Sequence, residues 1–207
     1  MSSEKTPLAE ATPVASPPPS KWKSDLFGCL KYGCCHPALL CSWFTPQLHM
    51  GQVLTRMKMT WLGEESGDYK STFGSVCTIW IVTALVNFFF YCELETIEEN
   101  DEGGFDTIRN EECSESSYKL SHWVAFLSSL YTFVVLIKLR VAIRNKYNID
   151  EEYCPVCEDC ICIGCCGCLS LVQMSHQTAD YDDVSAAFFT PTGLSSGDED
   201  LTEAVVV

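Results

Sequence analysis

The chain has 207 residues, of which 47% are hydrophobic, and it carries a formal net charge of −15. These two properties fit together only if charged and apolar residues are segregated along the sequence, which is typical of a membrane protein rather than of a soluble domain. The acidic balance also argues against nucleic acid as a partner, because neutralising phosphates requires many Lys and Arg side chains.

The first part of the chain is polar and then becomes rich in cysteine. Residues 1–20 hold five prolines and almost no large apolar side chains. Such a segment cannot bury enough apolar surface to offset the loss of backbone entropy, so we predict a disordered tail. Residues 21–71 form an N-terminal Cys-rich segment. Within it, residues 32–55 lack Asp, Glu, Lys and Arg but are interrupted by Pro37 and Pro46, which favours a re-entrant or interfacial segment over a transmembrane helix.

The end of this segment predicts a short helix. Apolar side chains recur there at helical spacing, at Met50, Val53, Leu54, Met57 and Trp61. Arg56 and Lys58 lie off that stripe. We therefore expect the helix to lie in the membrane interface, with these two basic side chains reaching the lipid headgroups.

Two uncharged stretches predict transmembrane helices. Residues 72–92 contain no Asp, Glu, Lys, Arg or His, and as an α-helix they would extend about 31 Å. Among Asp, Glu, Lys, Arg and His, residues 120–137 contain only His122, and they would extend about 27 Å. The alternative, a pair of buried helices in a soluble bundle, would need a large polar scaffold to cover them, and the rest of the chain does not provide one.

The distribution of Lys and Arg predicts how these helices are oriented. Basic residues follow the second stretch and precede the first, whereas residues 93–119 between them contain ten acids and only two basic residues. Because Lys and Arg collect on the cytosolic side, this acidic loop should face the lumen or the exterior, and both termini should face the cytosol. Residues 138–180 then form a basic flank and a C-terminal Cys-rich segment, and residues 181–207 an acidic disordered tail.

The expected fold is thus a mainly α membrane protein: a transmembrane helical hairpin with cytosolic Cys-rich segments and disordered termini, in the plasma membrane or an endomembrane. Disulfides are rare in the cytosol, which leaves metal binding, acylation and packing as three interpretations of the cysteines there. Zinc is the candidate cofactor, with candidate ligands at Cys154, Cys157, Cys160, Cys165, Cys166 and Cys168. The candidate acylation sites are Cys162, Cys165 and Cys166.

Outside the cytosol, Cys92 and Cys113 flank the acidic loop and are candidates for a disulfide. The sequence has no G-x-S-x-G, no H-E-x-x-H and no phosphate-binding glycine loop, so we predict no catalytic residues and no enzyme. The predicted helices carry no charge that would mark an ion path, and two helices cannot enclose a pore. Any transport would therefore require a homo-oligomer within the lipid bilayer.

The stretch "RNKYNIDEEYCPVCEDCICIGCCGCLSLVQ" (residues 144–173) resembles the placenta-specific gene eight family, and the chain looks like a member from diatoms or related algae. That Cys-rich family includes onzin, cornifelin, plant cell-number regulators and cadmium-resistance proteins. The resemblance rests on Trp22, Leu26, Phe27, Cys29, Cys34, Cys35, Gly51 and Gln52 in the first half and on Arg144, Tyr147, Ile149, Cys157, Asp159, Cys160, Cys165, Cys166 and Gln173 in the second.

The resemblance implies a non-enzymatic integral membrane protein that acts by self-association or by binding a protein partner, in growth or ion homeostasis. The alternative that it implies is an oligomeric protein that transports or handles divalent metals such as zinc or cadmium. One departure bears on this alternative. Plant members associated with cadmium resistance carry Cys-Pro-Cys where this chain has Thr45-Pro46-Gln47.

Overall fold

A computed structural model describes residues 21–28, 33, 35–65, 67–90, 97–99, 105–107, 115–150 and 155–195. The predicted tail 1–20, the end of the acidic tail from residue 196, and Cys29, Cys34, Cys92, Cys113 and Cys154 lie outside this part of the chain. In the described part there are five helices and two short strands: α1 Pro37–Phe44, α2 Pro46–Arg56, α3 Thr72–Phe90, β1 Ile97–Glu99, β2 Phe105–Thr107, α4 Glu115–Tyr147 and α5 Pro155–Thr178. The prediction of a mainly helical chain is confirmed.

The long helices are α3 and α4. Helix α3 lies within the predicted stretch 72–92, and α4 contains the stretch 120–137 and continues through the basic flank. At the end of the bundle where α3 ends and α4 begins, the Ser121 hydroxyl donates to Asn87 Oδ1 over 3.0 Å. At the opposite end, which we call the basic end, α4 carries Arg140 and Arg144. The two helices are therefore antiparallel neighbours. Strands β1 and β2 pair antiparallel within the predicted acidic loop.

Helices α1 and α2 form a hairpin that we call the N-terminal hairpin, Pro37–Arg56. Pro37 and Pro46 each begin a helix. Proline is tolerated at this position because the backbone N–H that it lacks would have no partner within the helix. A straight helix over this range would extend about 30 Å. Instead, His36 and Arg56, at its two ends, both contact Tyr181. The chain thus reverses at Thr45, between the two helices.

Helix α5 also folds back on itself, and we call Pro155–Thr178 the C-terminal hairpin. Its backbone leaves helical geometry at Cys166, with φ −136° and ψ 41°. Asp159 and Gln173 both contact Arg140, although a straight helix would separate them by about 21 Å. The Ser170 hydroxyl donates to the carbonyl of Cys162, 3.1 Å away, which likewise requires a reversal between them.

Among the described residues, three helical stretches are long and apolar enough to cross a membrane by length and composition: Thr72–Phe90, Ser116–Tyr147 and Asp159–Thr178. They differ in how much of their surface the rest of the protein covers. Only 6% of the apolar window of α3 is buried, against 50% of that of α5. Because α5 reverses at Cys166, its length does not correspond to one straight rod.

Helix α2 lies at the centre of the core. Met50, Val53 and Leu54 are fully buried, and α2 packs against α3, α4 and α5. The expectation that Arg56 reaches the lipid headgroups is wrong, because its side chain is 3% exposed and points into the bundle. Its Nη1 atom donates to the carbonyl of Ser175 and to the hydroxyl of Thr178 in α5, which is why a basic residue is tolerated there. Lys58 is exposed.

Candidate functional site

A buried ion cluster joins α4 to the C-terminal hairpin. Asp159 is 0% exposed, and its Oδ1 atom accepts a hydrogen bond from Arg140 Nε at 2.7 Å and forms an ion pair with Arg144 Nη2 at 3.2 Å. The guanidinium of Arg140 also stacks over the ring of Trp22, with 4.5 Å from Cζ to the ring centroid. Buried charges are stable only when they are paired and hydrogen-bonded, so this cluster fixes the position of one arm of the hairpin against α4.

Gln173 extends the cluster to the second arm of the C-terminal hairpin. Its Oε1 atom accepts from Arg140 Nη1 at 2.9 Å, and its Nε2 atom donates to the carbonyl of Ser24 at 3.0 Å. Next to it, the backbone N–H of Lys23 donates to Gln177 Oε1 at 2.8 Å. These contacts tie residues 21–28 and both arms of the hairpin to the basic end of the bundle.

A second polar network surrounds His49 in α2. Its Nδ1 atom lies 2.8 Å from the Ser42 hydroxyl, and its Nε2 atom 2.8 Å from the Ser175 hydroxyl. Arg56 donates to Ser175 through Nη2, and Ser175 also bonds the hydroxyl of Tyr181. Burial, and then the positive charge of Arg56, lower the pKa of His49 to about 3. His49 is therefore neutral at pH 7 and holds the two hairpins together.

Gly51 and Gln52 determine how α2 packs against its neighbours. A Cβ atom on Gly51 would lie 3.2 Å from Val76 Cβ, so glycine permits the close approach of α2 to α3. Gln52 donates through Nε2 to the carbonyls of Phe188 at 2.6 Å and Thr190 at 3.2 Å. It thereby holds the segment that follows the C-terminal hairpin against α2.

The cysteines of α5 lie along and beside the reversal. Cys165 is exposed, and the others with described side chains are half-buried, namely Cys160, Cys162, Cys166 and Cys168. All five are free thiols. Within the described part of the chain, no group of three or more His, Cys, Asp and Glu side chains is placed to hold a metal ion. Cys154 and the side chain of Cys157 lie outside that part, so the zinc, acylation and disulfide sites stay predictions.

The other residues that carry the resemblance are distributed over the core and its rim. Trp22 and Tyr147 pack against the main hydrophobic core, and Ile149 belongs to it. Cys35 is exposed. No pattern in the sequence predicted the roles of His49, Arg140 and Ser175. Arg140 was interpreted only as part of a basic flank, although its burial could have been suspected from the apolar residues on either side of it.

Together the fold and these networks define a class of protein: a helical bundle with membrane-compatible helices, in which two hairpins are anchored by buried polar contacts. The PLAC8 family model matches residues 22–177. The chain therefore belongs to the PLAC8 family, the placenta-specific gene eight family of the sequence resemblance. The matched region begins at Trp22 and ends at Gln177, and the backbone N–H of Lys23, the second matched residue, donates to the side chain of Gln177. No curated protein and no solved structure matches the chain.

Proposed function

We propose that this chain is a non-enzymatic integral membrane protein that acts by self-association or by binding a protein partner, in growth or ion homeostasis. The observation that carries the proposal is the bare outer surface of α3 and α4. Phe88 is 78% exposed, Phe89 71% and Trp123 63%. Apolar side chains this exposed need lipid or another protein to cover them.

The polar groups of the bundle support a role without catalysis. Asp159 is held between two arginines, and His49 is neutral and enclosed by hydroxyl groups. A general base needs access to a substrate, and both side chains are buried. Hydrogen bonds that join hairpins and helices explain these side chains as structural.

The path of the chain supports a two-crossing topology with two re-entrant hairpins. In this proposal α3 and α4 cross the bilayer, and both hairpins enter from the basic end and return to it. Residues 21–28 and 179–195 then lie on the same side, consistent with the contact of Lys23 with Gln177. The Lys and Arg bias assigns that side to the cytosol. With two membrane-spanning helices and two re-entrant hairpins, both termini lie on the cytosolic side.

Self-association can be tested by crosslinking in native membranes. A photoreactive amino acid at the position of Phe89 should yield dimers or a defined heterologous adduct, whereas the same group at Lys58, on the non-spanning connection, should not. Extraction with alkaline carbonate should leave the protein in the membrane pellet. A protein that is released by carbonate, or that yields only lipid adducts at Phe89, would contradict the proposal.

Zinc or cadmium handling is the second candidate. It rests on the free thiols of α5, of which Cys165 is exposed, and on Cys154 and Cys157, because no three of the described side chains are themselves placed to hold one ion. Soft thiolates suit these metals. Metal analysis of purified protein separates the two functions. Stoichiometric zinc that is lost in a Cys157→Ser, Cys160→Ser double variant supports metal handling. A metal-free protein that still crosslinks supports the non-metal role.

A further inference from the structure

The tips of the two hairpins line an open cavity together with residues of α3 and α4. It has a volume of about 530 Å³ and is open on one side. Pro46 and Gln47 line it from the first tip, and Gly167 and Cys168 from the second. This volume is within the range of pockets that bind small organic molecules. Neither the family match nor the proposed function assigns a ligand to it.

The cavity lies deep within the stretch of α4 that we expect to cross the membrane. Ser128 and Thr132 line it, and Ser128 is separated from Arg140, at the basic end, by about 18 Å of helix. A bilayer hydrocarbon core is about 30 Å thick. A ligand would therefore reach the cavity from the lipid phase, and Trp43, which is 66% exposed, lies at its open rim.

The lining combines apolar walls with uncharged polar groups. Trp43, Trp80, Phe133, Leu136 and Ile163 form much of the wall. The polar groups are Ser42, Gln47, Thr83, Ser128, Ser129 and Thr132. None of the lining residues is Asp, Glu, Lys, Arg or His. A charged ligand would lose its hydration here without gaining a counterion, so the cavity selects against charge.

Gln47 supplies an unused acceptor. It is 9% exposed, and its Nε2 atom donates to Ser128 Oγ at 2.6 Å and Thr132 Oγ1 at 2.8 Å. These bonds orient the carboxamide, but its Oε1 atom has no hydrogen-bond partner among the described residues. Buried polar atoms are rarely left without a partner, and each such case calls for a donor.

We propose that this cavity binds an uncharged lipid that carries a hydroxyl group. The hydroxyl donates to Gln47 Oε1 after a small rotation of the carboxamide, and the apolar body of the lipid lies against the aromatic wall formed by Trp43, Trp80 and Phe133. A sterol and a diacylglycerol share this chemistry. The site recognises the hydroxyl group by a hydrogen bond, and the apolar body keeps the ligand in the bilayer, from which it enters the cavity.

Photoreactive, alkyne-tagged lipids test the proposal on the full chain in membranes. The probes are a sterol, a diacylglycerol, and the methyl ether of each, which has the same apolar body but cannot donate a hydrogen bond. We expect one hydroxyl probe to label residues of the two tips or 128–136 of α4, as located by peptide mass spectrometry. Excess unlabelled lipid of the same kind should compete, and the methyl ether should label roughly three- to tenfold less, the effect of one lost hydrogen bond.

Two variants and a control make the result decisive. Gly167→Phe should abolish labelling, because a Cβ there meets no atom within 4 Å and the ring can fill the cavity. Gln47→Leu should lower labelling by the hydroxyl probe to that of the methyl ether. Asn87→Leu removes a different amide of the bundle, one that does not line the cavity, and should label as the wild type does. The thermal unfolding midpoint of each variant shows whether it folds.

Labelling by the sterol alone or by the diacylglycerol alone identifies the natural source, and either result supports the site. Equal labelling by hydroxyl and methyl ether probes would overturn the proposal. Labelling that survives Gly167→Phe in a folded protein would also overturn it, because the probe would then be bound to the outer surface of the helices.

Discussion

Replacing Asp159 by asparagine tests the buried ion cluster most directly. The wild-type carboxylate is fully buried and forms ion pairs with two guanidinium groups, at 2.7 Å and 3.2 Å. Asparagine has nearly the same shape, so the change removes the negative charge without creating a cavity. Arg140 and Arg144 then remain in the core without this counterion.

The expected cost follows from the burial of the pair. Removing one partner of a buried ion pair destabilises a protein by about 3–5 kcal/mol, because an uncompensated charge is left behind. For a chain of this length, each kcal/mol lowers the thermal midpoint by about 2–4 °C. Asp159→Asn should therefore lower the Tm by roughly 6–20 °C, with α5 loosened from α4.

Thermal unfolding in one detergent, at a fixed scan rate, measures this change. Asp150→Asn is the matched control, because that carboxylate is exposed at the end of α4 and its loss should move the Tm by less than about 2 °C. The double variant with Arg140→Gln should be less destabilised than the sum of the two single variants, since it removes both charges of one pair. If Asp159→Asn unfolds within 2 °C of the wild type, the reasoning about the cluster is wrong.

Three further predictions concern α2 and its neighbours. Gly51→Leu should destabilise the bundle by about 1–3 kcal/mol, because its Cβ would lie 3.2 Å from a side chain of α3. Gly164→Ala, whose Cβ would have its nearest contact at 3.8 Å, should be nearly neutral in the same unfolding assay. Equal effects of the two changes would contradict the close approach of α2 to α3. Gln52→Leu should release residues 187–194 from α2 and speed their cleavage in limited proteolysis. Unchanged cleavage would show that the hydrogen bonds of Gln52 do not hold this segment. The pKa of His49 is lowered to about 3 in the folded protein. The contribution of neutral His49 to the free energy of unfolding is therefore complete above its unfolded pKa near 6.5 and is lost as the pH falls towards 3. The free energy of unfolding should decrease by up to about 1.4 kcal/mol per pH unit over that window, and a His49→Asn variant that keeps the full slope would contradict this assignment.

The two long helices could be predicted from the sequence because their signal is local. An uncharged stretch of about twenty residues is a property of composition, and α3 and α4 each contain one. The position of Pro46 at the first turn of a helix is equally local, although the sequence analysis counted this proline only as an interruption. Prolines break a helix in its interior and begin one at its first turn, and only the neighbouring residues decide which applies.

The reversal of α5 could not be predicted, because it depends on contacts that are distant in the sequence. Metal binding, acylation and packing all stay open as interpretations of its cysteines, of which Cys165 is exposed and the others with described side chains are half-buried. What bends the helix at Cys166 is the requirement that Asp159 and Gln173 both reach Arg140. No local sequence pattern indicates that Asp159 and Gln173 contact the same residue. The same holds for Ser175, whose hydroxyl contacts α2 across 126 residues of sequence.

Positions that carry the family resemblance lie at both ends of the C-terminal hairpin, since Cys165 and Cys166 lie at its reversal and others lie at the basic end. Trp22, Asp159 and Gln173 lie at the basic end, where they hold both hairpins, so they specify the fold rather than a chemistry. The departure from the family pattern, Thr45-Pro46-Gln47, lies at a tip and lines the cavity through Pro46 and Gln47.

A cysteine at the position of Gln47 would offer a soft thiolate to a metal, whereas glutamine offers a neutral carbonyl acceptor that thiophilic metals bind weakly. The anchored ends of the hairpins can therefore stay the same while the tips set the ligand. Gln47→Cys, combined with Thr45→Cys, restores Cys-Pro-Cys at the tip, and it should raise zinc binding by the purified protein while lowering labelling by the hydroxyl lipid probe. If zinc binding and lipid labelling are both unchanged, the tips do not set the ligand.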